Sequence, residues 1–557
     1  MKSKILAGCL IAMSVLTTSC SDFLTEDPKG RQTPDNYYNS QDALDAGIVA
    51  LFQKVNQTQS QTNPMYPQWQ GDDITANPGS NKQACAQLDA FSATNNNKGI
   101  ADAWNLHYTV IKAANLIIKH ANDAETTEEE RGIAIGQAYF WRAYSYYYLV
   151  RVFGPLPVIS DPDVVDTNIP LTSVEDIYKL IVDDLTKAKG LLPTGYTASP
   201  RHHDGVDAYV TQQAVQSTLA AVYMSMAGYP LNKGTEYYKL AAQEAKDVID
   251  HKDEYGFYLE PEWKDVYSMG ANYNKATVLG IDYSPVNGSW WNDSQLTSCN
   301  RFEGLGDGGW GDAWGEIKFW KNYPTGPRKD AVYAPKITFQ DGATITESVD
   351  WWELDENGKK IVDAYHPMFS IFSTNCSPSS SSTELAQAYD YTQPNYTGMT
   401  NGHRHRVIRY SEVLLWYAES AARSGVGDLA LARQCLKTVR ARACDDPDNV
   451  ALPSLNGSRV AIDNMSADQL AEACYIEHGW EVAGYWVAMV TRRSDELRMN
   501  ELKKNFDFRV ANEAQEIIDG ITAKEGVLIT NTTWGGDNSI YVPYPDTEVE
   551  KNPNLKR

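Results

Sequence analysis

Apolar residues recur every three to four positions over long stretches of the chain. Short polar joints bearing Gly or Pro interrupt them, as expected for helices packed in series. The clearest run is 133–152, where Ala134, Ala138, Trp141, Tyr144, Tyr148 and Arg151 share helical spacing before Phe153-Gly154-Pro155-Leu156-Pro157 ends it. The same pattern predicts helices over 101–120, 174–189, 211–227, 236–250, 407–423, 428–443 and 467–491. Thr172-Ser173-Val174-Glu175 and Ser466-Ala467-Asp468-Gln469 carry N-cap signatures. The helices fall into pairs with Ala and Tyr at facing positions, so the expected fold is mainly α, a tetratricopeptide-like scaffold of helical hairpins without a strict repeat consensus. Aromatics at helical spacing then belong to the core.

The periodicity fails between residues 256 and 402, a stretch rich in Gly, Asn, Ser, Pro and Trp. It is expected to be a large irregular loop and hairpin insertion, with Glu356-Asn357-Gly358-Lys359 as a tight hairpin turn. Residues 41–255 and 403–557 supply the scaffold, the latter closing in a tail (540–546, then 551–554) that reads as extended and turn-rich. At the other end, Lys2 and Lys4 precede an apolar run too short to span a bilayer, followed by Leu16-Thr17-Thr18-Ser19-Cys20. Residues 1–19 are expected to be a lipoprotein signal peptide, with Cys20 acylated as the new N-terminus and residues 20–40 as a tether.

Charge narrows the partners. Asp and Glu number 72 against 49 Lys and Arg, a net charge of −23, which would repel nucleic acid. Cys85, Cys299, Cys376, Cys435, Cys444 and Cys474 form no CxxC pair and read mostly as buried thiols. There is no HExxH, GxSxG or Walker loop. The GxGxxG match at Gly304–Gly309 has no strand before it and reads as a Gly-rich loop. His202-His203 and His403-Arg404-His405 lack a ligand partner at metal-site spacing and read as surface loops. A faint calcium-loop pattern from Glu353 has Ala364 where its closing Glu should stand, so the hairpin reading prevails. Neither cofactor nor metal is expected.

Several segments together resemble the SusD/RagB-type family of outer-membrane nutrient-uptake lipoproteins. They are residues 20–28 (CSDFLTEDP), 104–115 (WNLHYTVIKAAN), 138–158 (AYFWRAYSYYYLVRVFGPLPV), 409–419 (RYSEVLLWYAE) and the tail pieces 542–545 (VPYP) and 552–554 (NPN). Two departures stand out. Glu477-His478 replaces the family's usual Glu-Arg, removing one expected arginine pairing, and Gly326-Pro327-Arg328 replaces Asp-Pro-Arg. The resemblance implies a non-enzymatic glycan-binding lipoprotein at the cell surface, anchored in the outer membrane. It would deliver oligosaccharide to a SusC-type TonB-dependent transporter. A peptide-capturing member of the family, a surface glycosidase and a structural subunit of the transporter are the alternatives.

Two loops suit a sugar, whose apolar C–H faces stack on aromatic rings while amides and charged groups bond its hydroxyls. One offers Tyr66, Trp69, Asn81, Lys82 and Gln83; the other offers Trp290, Trp291, Asn292, Arg301, Trp310 and Trp314. The resemblance places ligand in loops of these two regions, and the individual residues are chosen on their chemistry. Cys20→Ala, expressed without the transporter, is expected to move the protein into the soluble fraction, and its retention in washed membranes would refute the anchor.

Overall fold

A computed structural model describes residues 37–163, 166–283, 294–296, 310–341, 344–371, 402–525 and 533–556. The leader, Cys20 and residues 20–36 of the tether lie outside them. Tyr37–Ser40, read as the end of the tether, already belong to the body. The Tyr38 ring stacks on His120 with centroids 6.0 Å apart, and Ser40 caps helix α1 (Gln41–Ser60) by accepting from the Ala43 amide.

The scaffold is mainly α. Helices α2 (Lys98–His120), α3 (Glu128–Phe153), α4 (Val174–Leu191), α5 (Gln212–Ala227) and α6 (Thr235–Asp250) pack each on the next. Helix α7 (Tyr410–Ser424) continues the series against α6, and α8 (Leu429–Ala441) and α9 (Ala467–Glu481) pack on α7. Small residues permit the approach. A Cβ on Gly136 of α3 would lie 2.6 Å from Leu192 Cδ2 at the end of α4. Tyrosines fill the complementary positions: Tyr146 and Tyr147 have no exposed surface, and the Tyr147 hydroxyl lies 2.7 Å from Ser225 Oγ in α5. Arg142 clamps α3 to α4 by donating to both carboxylate oxygens of Asp184 at 2.7 Å. Helix α3 stops where expected, because Gly154 has φ +75° with the Tyr541 ring 2.8 Å from where a Cβ would sit.

Three expectations need correction. Residues 407–409 do not begin a helix: His405–Arg409 is a strand, paired antiparallel with Thr277–Ile281, and α7 starts only at Tyr410. Helix α9 ends at Glu481, not Thr491, because Gly484 has φ +68° and the Phe369 ring occupies its Cβ side at 2.4 Å. The apolar segment beyond it is buried irregular backbone, which carries the periodicity of a helix without being one. His403 and His405 are not surface residues either. Both are buried, and His405 faces Ser294 Oγ at 2.7 Å and Gln59 Oε1 at 3.2 Å. Burial pulls His403 down to about 3 and His405 well below the ordinary imidazole range.

Within 256–402 the described residues form short strands, two short helices (Ile317–Asn322 and Pro327–Val332) and a hairpin (Ile337–Asp341 with Thr344–Val349). Asp355–Gly358 makes the expected tight turn, closed by the Leu354–Lys360 bridge. Trp314, Trp351, Tyr365 and Met368 gather in a second apolar cluster with Trp320 and Trp352 against it. In the tail, the Val542 amide donates to the Val152 carbonyl and Tyr544 to that of Pro155, and a short helix, Asp546–Lys551, interrupts the extended segment. Cys85, Cys435, Cys444 and Cys474 are buried free thiols.

A buried ionic knot joins the last helices to the insertion. Glu477 and Glu481, one turn apart on α9, receive Arg328, Arg409, Arg440 and Arg442. Arg328 reaches both acids, at 2.7 and 2.8 Å, Arg442 meets Glu481 at 2.7 Å, and Arg440 meets Glu477. Burial alone would raise Glu481, but Arg442, Arg409 and Arg328 hold it down to about 2. His478, in the place of the expected arginine, has Asp495 2.5 Å from Nδ1 and Glu412 3.6 Å from Nε2. Burial alone would lower it, but these carboxylates lift it to about 9.

The two shifts act at opposite ends of the pH scale. The depressed Glu481 contributes stability above pH 4.5 that is lost as pH falls toward about 2. The raised His478 contributes below pH 6.5, and its contribution is lost as pH rises through about 9. Thermal midpoints followed against pH are therefore expected to fall on both sides. His478→Gln should flatten the alkaline limb, and Glu481→Gln should destabilise by about 3–5 kcal/mol near neutrality. An unchanged alkaline limb in His478→Gln would show that the imidazole is not charged in the fold.

Candidate functional site

Beside the junction of scaffold and insertion lies an open cleft of about 670 Å³. Its floor is the 3-10 segment Asn63–Gln70, which follows α1 and contains Pro64 and Pro67. Scaffold side chains fix this segment: Tyr148 donates to the Pro64 carbonyl at 2.6 Å, Thr491 to Gln68 at 2.8 Å, and Arg493 to Gln70 at 3.0 Å. One wall is the start of α2. Asn97 caps that helix through the amides of Gly99 and Ile100, and its own amide bridges to Ala84 and Gln87. Gly99 is required there, because a Cβ would lie 3.0 Å from the Asn63 carbonyl oxygen and 3.2 Å from the Tyr66 ring. The opposite wall comes from the insertion, whose strand Ala313–Gly315 pairs with Ile74–Ala76.

Asp312 joins the walls. Although only 2% exposed, it accepts from the Tyr66 hydroxyl at 3.1 Å and meets Lys82 Nζ at 2.5 Å. Its backbone carbonyl accepts from the Asn77 amide. Gln295, from the other described piece of the insertion, is tied in by its backbone amide to the Ser60 carbonyl at 3.0 Å. The half-buried Trp310 contributes an aromatic surface. Around it stand the side chains of Gln61, Thr62, Asn63 and Asn81, with Lys98 at the rim. Cys85 lies beneath; burial first, and the Asp312 and Asp89 carboxylates next, push its thiol up, so it is not a nucleophile.

Of the residues selected from sequence, Tyr66, Asn81, Lys82 and Trp310 line this cleft together. Gln83 is exposed next to it but does not line it. Trp69 has no exposed surface; it supports Tyr66 from below at 4.7 Å between centroids and packs on Trp486 at 4.9 Å, so it cannot be a stacking platform. Trp314 is 8% exposed, faces His366 at 5.3 Å and belongs to the insertion's own core. Trp290, Trp291, Asn292 and Arg301 lie outside the described residues, as does the Gly304–Gly309 loop. Gln61, Thr62, Asn63, Lys98, Gln295 and Asp312 went unselected. Asp312 stands two residues from Trp310 and could have been found there; the contribution of Lys98 carries no local sign.

The cleft can hold a ring with one apolar face and many hydroxyls. Trp310 offers a face, the amides offer both donors and acceptors, and the lysines donate. Among the described residues no group of three or more His, Cys, Asp or Glu could hold a metal ion, and no helix is long and apolar enough to cross a membrane.

Comparison with known proteins accords with this architecture. Residues 22–224 match a family described as starch-binding associating with outer membrane, and residues 372–557 match the SusD family. A SusD-like protein of Bacteroides ovatus is 27% identical over 407 residues, covering 66% of this chain and 69% of its own. A SusD homolog from Bacteroides thetaiotaomicron superposes with TM-score 0.73 at 18% identity, covering 95% of this chain and 99% of its own. A structure determined with a xylogluco-oligosaccharide superposes with TM-score 0.66 at 20% identity, over 92% and 98% of the two chains. With fold, motifs and both family matches in agreement, the chain belongs to the SusD/RagB family.

Proposed function

We propose that this protein is a cell-surface glycan-binding lipoprotein that holds oligosaccharide in the cleft around Trp310. It passes the ligand to a SusC-type TonB-dependent transporter while its acylated Cys20 keeps it in the outer membrane. The observation that carries the reading is the pairing of an accessible tryptophan with a ring of amides, on a floor locked by Asp312, Lys82 and Tyr66. The solved relative determined with a xylogluco-oligosaccharide supports the same ligand class.

A binding role suits the cleft better than hydrolysis. Glycosidases set two carboxyl groups across the scissile bond. Among the described lining residues Asp312 is the one carboxylate, and Tyr66 and Lys82 already occupy it. Incubation with a bound oligosaccharide is expected to release no new reducing ends.

The test begins with a polysaccharide and glycan-array screen, followed by calorimetry on the best ligand. Trp310→Ala is expected to lose about 1–3 kcal/mol, a weakening of roughly tenfold or more, by analogy with base–aromatic stacking. Asn63→Ala should weaken binding by a smaller factor, and Trp69→Phe should leave affinity unchanged in a protein that remains folded. Parent-like affinity in Trp310→Ala would place the ligand elsewhere, and recognition of peptides instead of glycans would replace the ligand class. Extraction in mild detergent during growth on the bound glycan should co-purify a TonB-dependent barrel, and repeated recovery of the lipoprotein alone would remove the transporter from the proposal.

A further inference from the structure

Beside the ionic knot, and sharing no lining residue with the cleft, a small cavity of about 10 Å³ has room for one small occupant. Three arginines line it: the buried Arg406 and Arg409, and Arg442, whose side chain is 9% exposed. Two buried hydroxyls join them, Thr277 from the strand Thr277–Ile281 and Ser411 from the first turn of α7. We infer that this cavity is a structural binding site for a single halide-sized anion.

Unmet donors are the first support. Arg406 Nε, Arg442 Nε and Nη1, Thr277 Oγ1 and Ser411 Oγ are all buried without a hydrogen-bond partner. Five such donors on four residues that line one cavity are costly unless something accepts from them. Charge is the second support. Arg406 is 1% exposed, yet its hydrogen bonds go to neutral groups: the carbonyls of Arg404, Ser268 and Ala271, and His403 Nε2. The other two lining arginines, Arg409 and Arg442, share Glu481 with Arg328, and Arg409 also has Glu412 at 3.7 Å. Burial pulls Arg406 down to about 10, with Arg404 and Arg409 adding repulsion, as expected for a cation short of a counter-charge. Position is the third support, because Ser411 sits where the α7 N-terminus presents the positive end of a fifteen-residue helix.

The one carboxylate on the cavity wall, Glu260, is only half-buried and accepts from the Tyr258 hydroxyl at 3.1 Å. It is the natural rival for the counter-charge. Size limits the anion: a space this small leaves room for one monatomic ion, chloride before the larger bromide, and none for the tetrahedral oxygens of sulfate or phosphate. Such an ion would bind the strand Thr277–Ile281, the start of α7 and the end of α8 at a single point.

Full-length protein crystallised in bromide is expected to give an anomalous peak at the bromine edge in contact with Arg442 and Ser411. Replacing gluconate with chloride at constant ionic strength should raise the thermal midpoint by about 1–3 °C. Thr277→Val with Ser411→Ala should abolish that rise, and Glu260→Gln should leave it intact or enlarge it. A water without anomalous signal, or Glu260 folded onto Arg442, would overturn the site. So would a chloride response that survives the double substitution or disappears in Glu260→Gln. Should the double variant not fold, the bromide map of the parent protein decides alone.

Discussion

Two carboxylates one turn apart on α9 hold the C-terminal half of this molecule together. Glu477 and Glu481 are fully buried, and the arginines that reach them come from a short helix of the insertion (Arg328), the strand before α7 (Arg409) and the end of α8 (Arg440 and Arg442). Buried charges of this kind add little net stability compared with a well-packed apolar core, yet losing one partner strands the others in a medium that cannot solvate them. The knot therefore acts as a specificity device. It admits one relative placement of insertion and scaffold, and packing alone, with many similar aromatics, would discriminate less sharply.

That placement is what makes the cleft. Its floor and the α2 wall belong to the N-terminal scaffold, whereas Trp310, Asp312 and Gln295 arrive with the insertion. The short pairing of Ile74–Ala76 with Ala313–Gly315 and the Lys82–Asp312–Tyr66 chain of contacts close the seam. On the proposed reading, the groups that meet a ligand are already held by contacts within the protein, the condition for binding without a large ordering cost.

Most of the helical scaffold was legible because its signal is redundant: the helices read from sequence repeat their apolar spacing over several turns, and caps or Gly-Pro stops mark several ends, whereas the polar-rich α1 (Gln41–Ser60) was not singled out. Legibility failed where a short apolar run serves another purpose. Val407 and Ile408 read equally well as helix or as strand, and only the partner strand some 130 residues earlier decides. The Val482–Val490 stretch reads as helix until Gly484 is seen in its left-handed conformation against Phe369. At the site, Tyr66, Asn81, Lys82 and Trp310 were legible as aromatic and polar side chains in irregular loops. Trp69 and Trp314 looked identical by that criterion, yet burial assigns them to packing. No local pattern distinguishes a tryptophan facing solvent from one facing its own core, because both sit in Pro- or Gly-rich sequence. His478 was legible only as a missing arginine. That it is still flanked by acids, Asp495 and Glu412, depends on α9 packing against α7 and the 492–498 helix.

Selectivity in such a cleft must come from its amides and not from its ring. Stacking rewards any flat apolar sugar face, so on the proposed reading Trp310 would set how strongly glycans as a class are held. Asn63 is oriented by Asp102 at 3.2 Å, and Gln295 is fixed through the Ser60 carbonyl. These two amides stand on opposite parents, one on the scaffold and one on the insertion. On the proposed reading, a sugar bonded to both reads the distance between the two parts of the chain. Any change that shifts the insertion would then alter which hydroxyl pattern fits before it altered the stacking. The ionic knot, none of whose residues lines the cleft, is on this reading part of its specificity, because it sets the one coordinate that the contacting residues cannot set for themselves.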